Sequence, residues 1–210
     1  MKNITEALEW RYATKKFDTN KKLTDEILNQ ILEAGRLSPS SLGLQPWKFI
    51  LVENVELRAK LREAGYNQPQ ITDASHLVVL TYKNSLNEAY IDSYLKYTAD
   101  LRGITTDDLK GYKDMIMGSI TNRTPEELKV WNSRQVYIPL GVMLTASALL
   151  EVDACPMEGF DTNKFDETLG LKEMGYSSTA ILALGYRAEG DDTAHYKKSR
   201  FGMEEVVIRK

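Results

Sequence analysis

The segment PEELKVWNSRQVYIPLGVMLTASALL, residues 125–150, constrains the fold more than any other stretch. Pro125 suits the first turn of a helix, and GVMLTASALL is apolar around its whole circumference. The sequence therefore predicts one long core helix from Pro125 to Leu150, buried on every side. Such a helix needs other elements around it. With 210 residues, 42% of them hydrophobic and 13 glycines, the chain has the composition of a globular protein and the length for a sizeable core.

The flanking pattern alternates strand and helix. Asn3 with Glu6 forms a capping box for a first helix, and Thr24 with Asp25 and Glu26 caps a second, with Ile27, Leu28, Ile31 and Leu32 as its apolar stripe and Gly35 placed to close it. LSPSSLGLQPW must be a loop. WKFILVE and HLVVLTY read as strands around the helix VELRAKLREAG; helices follow over 86–101 and 105–120, then a short helix from Asp161 to Leu169, the strand TAILALGY and a terminal EEVVIR with strand character. No repeat or linker interrupts the chain, so residues 1–210 read as a single α+β domain. Tyr90, Tyr94 and Tyr97 recur at helical spacing, either as a stacking surface or, as aromatic stripes usually do, as a packed face or subunit contact.

Several function classes drop out. A net charge of -3 argues against a nucleic-acid binder, and the single Cys155 rules out an intrachain disulfide or a thiolate metal cluster. His76 and His195 are too few for a histidine-rich zinc site, and both sit in contexts that suit structural or solvated roles, so no metal is expected. The N-terminus carries acids where a signal peptide needs an apolar run, and no segment approaches the roughly 18 apolar residues of a membrane span. A cytoplasmic protein without membrane contact is expected. Neither a P-loop nor a dinucleotide glycine pattern is present.

Positive charge gathers at both ends: Arg11, Lys15, Lys16, Lys21 and Lys22, then Lys197, Lys198 and Arg200. If the fold joins the ends, these surround an anion; otherwise they are two solvated faces. Ser38, Pro39, Ser40 and Ser41 offer hydroxyls and amides to a phosphate or ribityl chain, or form an ordinary turn. In PMEGF, Gly159 lets backbone approach a flat ligand, and Glu158 is either an acid-base group or a turn partner.

Six segments in this order, RYATKKFD, SPSSLGLQPWKFI, NQPQITDASHLVV, RQVYIPLG, PMEGFD and KKSRFG, resemble the nitroreductase family of FMN-dependent NAD(P)H oxidoreductases over nearly the whole chain. The resemblance implies a central, largely antiparallel sheet flanked by helices, and a homodimer that exchanges its C-terminal strand. It implies FMN as cofactor, NADH or NADPH as donor and a small flat acceptor such as a nitroaromatic or quinone, reduced by ping-pong hydride transfer. By the same resemblance Arg11, Lys198 and Arg200 hold the FMN phosphate, Lys15 reaches the pyrimidine edge, and Tyr12 and Ala13 add backbone. Pro39, Ser40 and Ser41 match the segment donated by the second subunit, Asn67 a flavin and nicotinamide neighbour, and Gln135 a position near the flavin. Pro156, Met157, Glu158 and Gly159 match the strand end whose backbone faces the ring. Leu42, Asn67, Gln70 and Met117 fall at acceptor-binding positions, with Lys15 and Glu158 as the catalytic pair. Ala13 stands where relatives carry serine, Gln70 where some carry a second lysine, and Leu42 and Gly43 replace a Thr-Asn pair. These departures bear on flavin potential and acceptor choice. A flavin-binding or flavin-modifying protein without general reductase turnover is the alternative on the same fold. A colourless chain would instead indicate a helical regulatory protein.

Overall fold

The computed structural model describes residues 3–210. A first helix, α1 (Ile4–Trp10), leads to α2 (Asp25–Arg36), the strand β1 (Trp47–Val52), α3 (Val55–Ala64), α4 (Gln70–Asp73) and β2 (His76–Lys83). There follow α5 (Glu88–Arg102), α6 (Lys110–Thr121), the long α7 (Pro125–Leu149), β3 (Asp153–Met157), α8 (Thr162–Thr168), β4 (Tyr176–Gly185) and the short α9 (Met203–Val206). The helix starts are locally encoded. Both capping boxes are made, Asn3 with Glu6 and Thr124 with Glu127, while Thr24 and Asp161 accept from the third residue onward. Each cap contributes about 1 kcal/mol.

The four strands form one antiparallel sheet in the order β1-β2-β4-β3. Side chains alternate across it, and both faces are covered. Leu77 and Val79 of β2 pack with Ile181 and Ala183 of β4 against Leu61, Ile71 and Phe165 of α3, α4 and α8. Val78, Leu80, Leu182 and Leu184 face the other way, onto Leu28 and Ile31 of α2 and Val136, Leu140 and Met143 of α7. That explains why Leu77–Leu80 read as a continuous apolar run in an antiparallel strand. A third cluster joins α5, α6 and the first half of α7 around Leu44.

Four expectations need correction. Gly35 does not close α2; the helix runs on to Arg36 with Leu37 as its cap, and a Cβ at Gly35 would lie 2.0 Å from the Met143 Cε, so this glycine permits close approach of α2 and α7. Second, α7 is not buried on every side: Val130, Tyr137 and Ile138 are 48%, 41% and 39% exposed, and with Arg134 and Gly141 they form one uncovered stripe. The apolar circumference exceeds what one chain covers. Third, EEVVIR forms no strand in this chain: Met203–Val206 is helical, Val207 is extended, and residues 207–210 are exposed without regular structure. Its β-branched run favours extension, but a strand needs a paired edge, and among the described residues the tail pairs with none. Fourth, the tyrosine stripe of α5 packs only in part: Tyr90 and Tyr94 lie on the third cluster while Tyr97 is 64% exposed, and the Tyr90 hydroxyl also binds a loop described below. No helix among the described residues is long and apolar enough to cross a membrane.

Candidate functional site

After α1, Arg11 leaves the helix in extended conformation, and the chain passes along the free edge of β3, where Ala13 bridges Ala154 in parallel. This stretch is fastened by Asp191, 1% exposed, whose carboxylate accepts from the Lys15 amide at 2.8 Å, the Lys16 amide at 3.1 Å and the Tyr12 hydroxyl at 3.0 Å. Its other oxygen accepts from the Thr193 hydroxyl at 2.5 Å and the Thr193 amide at 3.2 Å. Burial pushes this carboxyl up, but the bonds from Thr193, Lys15, Lys16 and Tyr12 together overcome it and hold the pKa at about 2. The Tyr12 phenol moves the opposite way, pushed up by burial and then by Asp191.

Asp191 thus fixes the N-terminal stretch to the segment that carries Lys198 and Arg200. Lys198 Nζ donates to the Leu8 carbonyl at 2.6 Å and to the Arg11 carbonyl. Between the ends lies a cavity of about 320 Å³ whose charged lining is Arg11, Lys197, Lys198 and Arg200 with the single carboxylate Glu9. Burial and then the Arg200 charge push the Arg11 guanidinium below its usual value. Lys198 is lowered by burial, then by Arg11 and Arg200. The cations repel one another, and the buried Arg11 Nε has no hydrogen-bond partner. An unpaired guanidinium nitrogen among converging cations is what a phosphate, with its negative charge and acceptor oxygens, would satisfy.

A second wall adjoins the cradle. Burial raises the Cys155 thiol at the middle of β3, while Lys15, Arg11 and Gln70 lie near enough to act on it in the opposite sense. Gln70 is 5% exposed, and its Oε1 has no partner. Lys15 itself is exposed. Asn67 sits in a left-handed turn, φ 58°, with its amide bonded to the Arg62 carbonyl at 2.9 Å. The neighbouring Gln68 donates to the Gly159 carbonyl at 2.6 Å and the Gly65 carbonyl at 2.9 Å, tying this turn to the Glu158–Gly159 loop that follows Pro156 and Met157 at the strand end. The Glu158 carboxylate is exposed and lies close enough to Tyr137 on α7 to help raise that phenol, after burial. A Cβ on Gly159 would meet only Gln68, at 3.9 Å.

The remaining predicted residues gather elsewhere. Pro39, Ser40, Ser41 and Leu42 lie against α5, α6 and α7: the Ser41 amide donates to Gln135 Oε1 at 2.7 Å, and Leu42 and Met117 pack on the Leu44 cluster. The loop is less open than its composition suggests, because the Ser41 amide is taken and Ser40 Oγ accepts from the Gln45 amide at 2.9 Å. Both serine hydroxyl protons remain free to donate. Leu42 (φ 53°), Gly43 (φ 62°) and Gln45 (φ 46°) are left-handed, which costs roughly 1–2 kcal/mol at each non-glycine residue.

No local pattern marks Asp191 or Gln68 for these roles. GDDTAH reads as a surface Asx-turn, and only the long-range pairing buries it. Arg187 was also missed: it binds Asp153 at 2.6 Å and lies over the Trp10 and Tyr12 rings at 4.3 and 4.6 Å, bracing the cradle from behind.

An antiparallel sheet between helical layers, with a cationic cavity closed by both ends of the chain, defines an α+β protein of the nitroreductase fold. The chain belongs to the nitroreductase family, whose model matches residues 8–186. It is 39% identical to "Putative NAD(P)H nitroreductase YfkO" of Bacillus subtilis, with 97% of this chain and 96% of that protein covered. A solved "putative nitroreductase in complex with FMN" from Exiguobacterium sibiricum superposes with a TM-score of 0.84 at 23% identity, covering 100% of this chain and 98% of the other. An enone reductase of gut-bacterial fatty acid saturation metabolism, CLA-ER, gives 0.81 at 24% identity with 100% and 98% covered.

Proposed function

We propose that this chain is an FMN-dependent reductase drawing on NADH or NADPH, working as a single domain in a homodimer. The observation that carries this is the cavity in which Arg11, Lys198 and Arg200 converge with the Arg11 Nε unpaired. These three cations would hold the phosphate; Lys15 and Gln70 would meet the pyrimidine edge, and the backbone at Pro156–Gly159 would face the ring. When bound, FMN supplies ping-pong hydride chemistry from the nicotinamide to a flat acceptor such as a nitroaromatic or quinone. The protein's part is positioning and charge. Lys198 is already held by the Leu8 and Arg11 carbonyls, so little of its side-chain freedom is lost on binding. Lys15 supplies positive charge where the reduced ring gathers negative charge. Asn67, Leu42 and Met117 would border the acceptor.

The homodimer reading rests on surfaces that one chain leaves bare. These are the apolar stripe of α7, the unpaired edge of β1, and a tail in which Phe201, Met203, Val206 and Ile208 are 62–79% exposed. A second copy would cover the stripe, take the tail as an exchanged strand, and bring its Pro39–Ser41 to the first copy's cradle.

The test is spectral. The purified or FMN-reconstituted protein should absorb at about 450 nm, bleach anaerobically with NADH or NADPH, and recover colour with a nitroarene or quinone. A protein that holds FMN without bleaching is a flavin binder and not a reductase. One that stays colourless after reconstitution overturns the reading, and a monomer by light scattering that retains FMN overturns the dimer.

A further inference from the structure

The serine loop leaves Ser38 and enters β1 through backbone that L-residues seldom adopt: Leu42, Gly43 and Gln45 are all left-handed within four positions. Something must hold it there. The Tyr90 hydroxyl, from α5, donates to the Leu44 carbonyl at 2.7 Å and the Gln45 carbonyl at 3.2 Å. From α6, Tyr112 donates to the Leu42 carbonyl at 2.7 Å. Tyr94 completes the group: a Cβ added to Gly43 would lie 2.6 Å from its hydroxyl, and it is near enough to Tyr112 to help raise that phenol after burial. Burial raises the Tyr90 phenol to about 12 and also raises Tyr112, so both stay protonated donors across the physiological range. Two helices remote from the cationic cradle thus fix the backbone on one side of Ser40 and Ser41, while Gln135 fixes the Ser41 amide on the other.

We propose that Tyr90 and Tyr112 are positioning residues for ligand binding: their hydroxyls lock residues 42–45 in the left-handed run and so set where Ser40 and Ser41 present their hydroxyls to the flavin. The proposal rests on the FMN reading. It also gives the tyrosine stripe a polar task besides packing. Phenylalanine keeps each ring and removes only the hydroxyl, so Y90F/Y112F isolates the clamp from the core.

The test is FMN titration by fluorescence quenching, well below the melting temperature, on wild type, Y90F/Y112F and the control Y97F, whose ring is 64% exposed on the same helix as Tyr90. The double variant should keep native circular dichroism and bind FMN about tenfold more weakly, with Y97F unchanged. A merely structural role would lower the melting temperature and leave the affinity of the folded protein alone. A double variant with native circular dichroism and affinity within twofold of wild type overturns the clamp. Failure of wild type to bind FMN overturns the underlying functional reading instead. If the double variant does not fold, Y112F alone is read by the same criterion at threefold, because Tyr90 still holds Leu44 and Gln45.

Discussion

Replacing Asp191 with asparagine should loosen the cationic cradle without touching a cation. In the native chain one oxygen accepts from Lys15, Lys16 and Tyr12, and the other accepts both hydrogen bonds from Thr193. Asparagine has one acceptor oxygen. Turned toward Lys15 and Lys16, it leaves an NH₂ facing the Thr193 amide; turned the other way, it sets that NH₂ against two backbone N–H groups. Holding a carboxyl at about 2 instead of 3.8 corresponds to roughly 2.5 kcal/mol in favour of the ionised form at neutral pH. Allowing for the bonds asparagine keeps, about 2 kcal/mol should be lost, or roughly 30-fold in FMN affinity if binding must reorder the cradle. A fall in Tm of about 4–8 °C should accompany it in a chain of this size. The pH dependence gives the sign. Because the folded pKa lies below the unfolded one, this stabilisation is complete above about pH 4 and vanishes as pH falls through about 2, so the difference between wild type and D191N should close over that window. FMN titration and thermal melts of both proteins across that range are the assay. A variant with wild-type affinity and an unchanged gap at pH 2 would refute the argument.

Three further outcomes follow from the same geometry. Arg200→Ala relieves repulsion on Arg11 and Lys198, so the apo protein should be no less stable, while FMN should bind at least tenfold more weakly and riboflavin, lacking the phosphate, nearly as before; equal losses for both ligands would count against phosphate recognition. Lys15→Ala should keep the fold, lower the reduction potential of bound FMN and slow its reduction by NAD(P)H in stopped flow. Solvent screening of the exposed lysine limits the effect to about 1 kcal/mol, and an unchanged potential and rate would remove Lys15 from catalysis. Gly35→Ala should cost about 1–3 kcal/mol, because the new methyl meets Met143; a melting curve superimposable on wild type would contradict that close approach.

What the sequence determined by itself was local or cumulative. Asn3 and Thr24 mark helix starts because a cap is satisfied within three residues, Pro125 marks another because it suits a first turn, and the strands of β1, β2 and β4 are apolar runs of the right length. The family was legible because six loose motifs keep one order, although no single motif would have sufficed. Tertiary structure alone decided the rest. Asp191 reaches Lys15 across 176 positions and Lys198 reaches Arg11 across 187, and no local pattern records which distant group will bury a carboxylate or cluster a charge. Gly35 looked like a helix end because glycine favours helix termini, yet contact with Met143 is what requires it there. EEVVIR had the composition of a strand, but strand formation depends on hydrogen bonds from a neighbour, and no described strand pairs with it. Propensity belongs to a residue and its near neighbours, whereas pairing, burial and charge convergence are properties of where the folded chain returns.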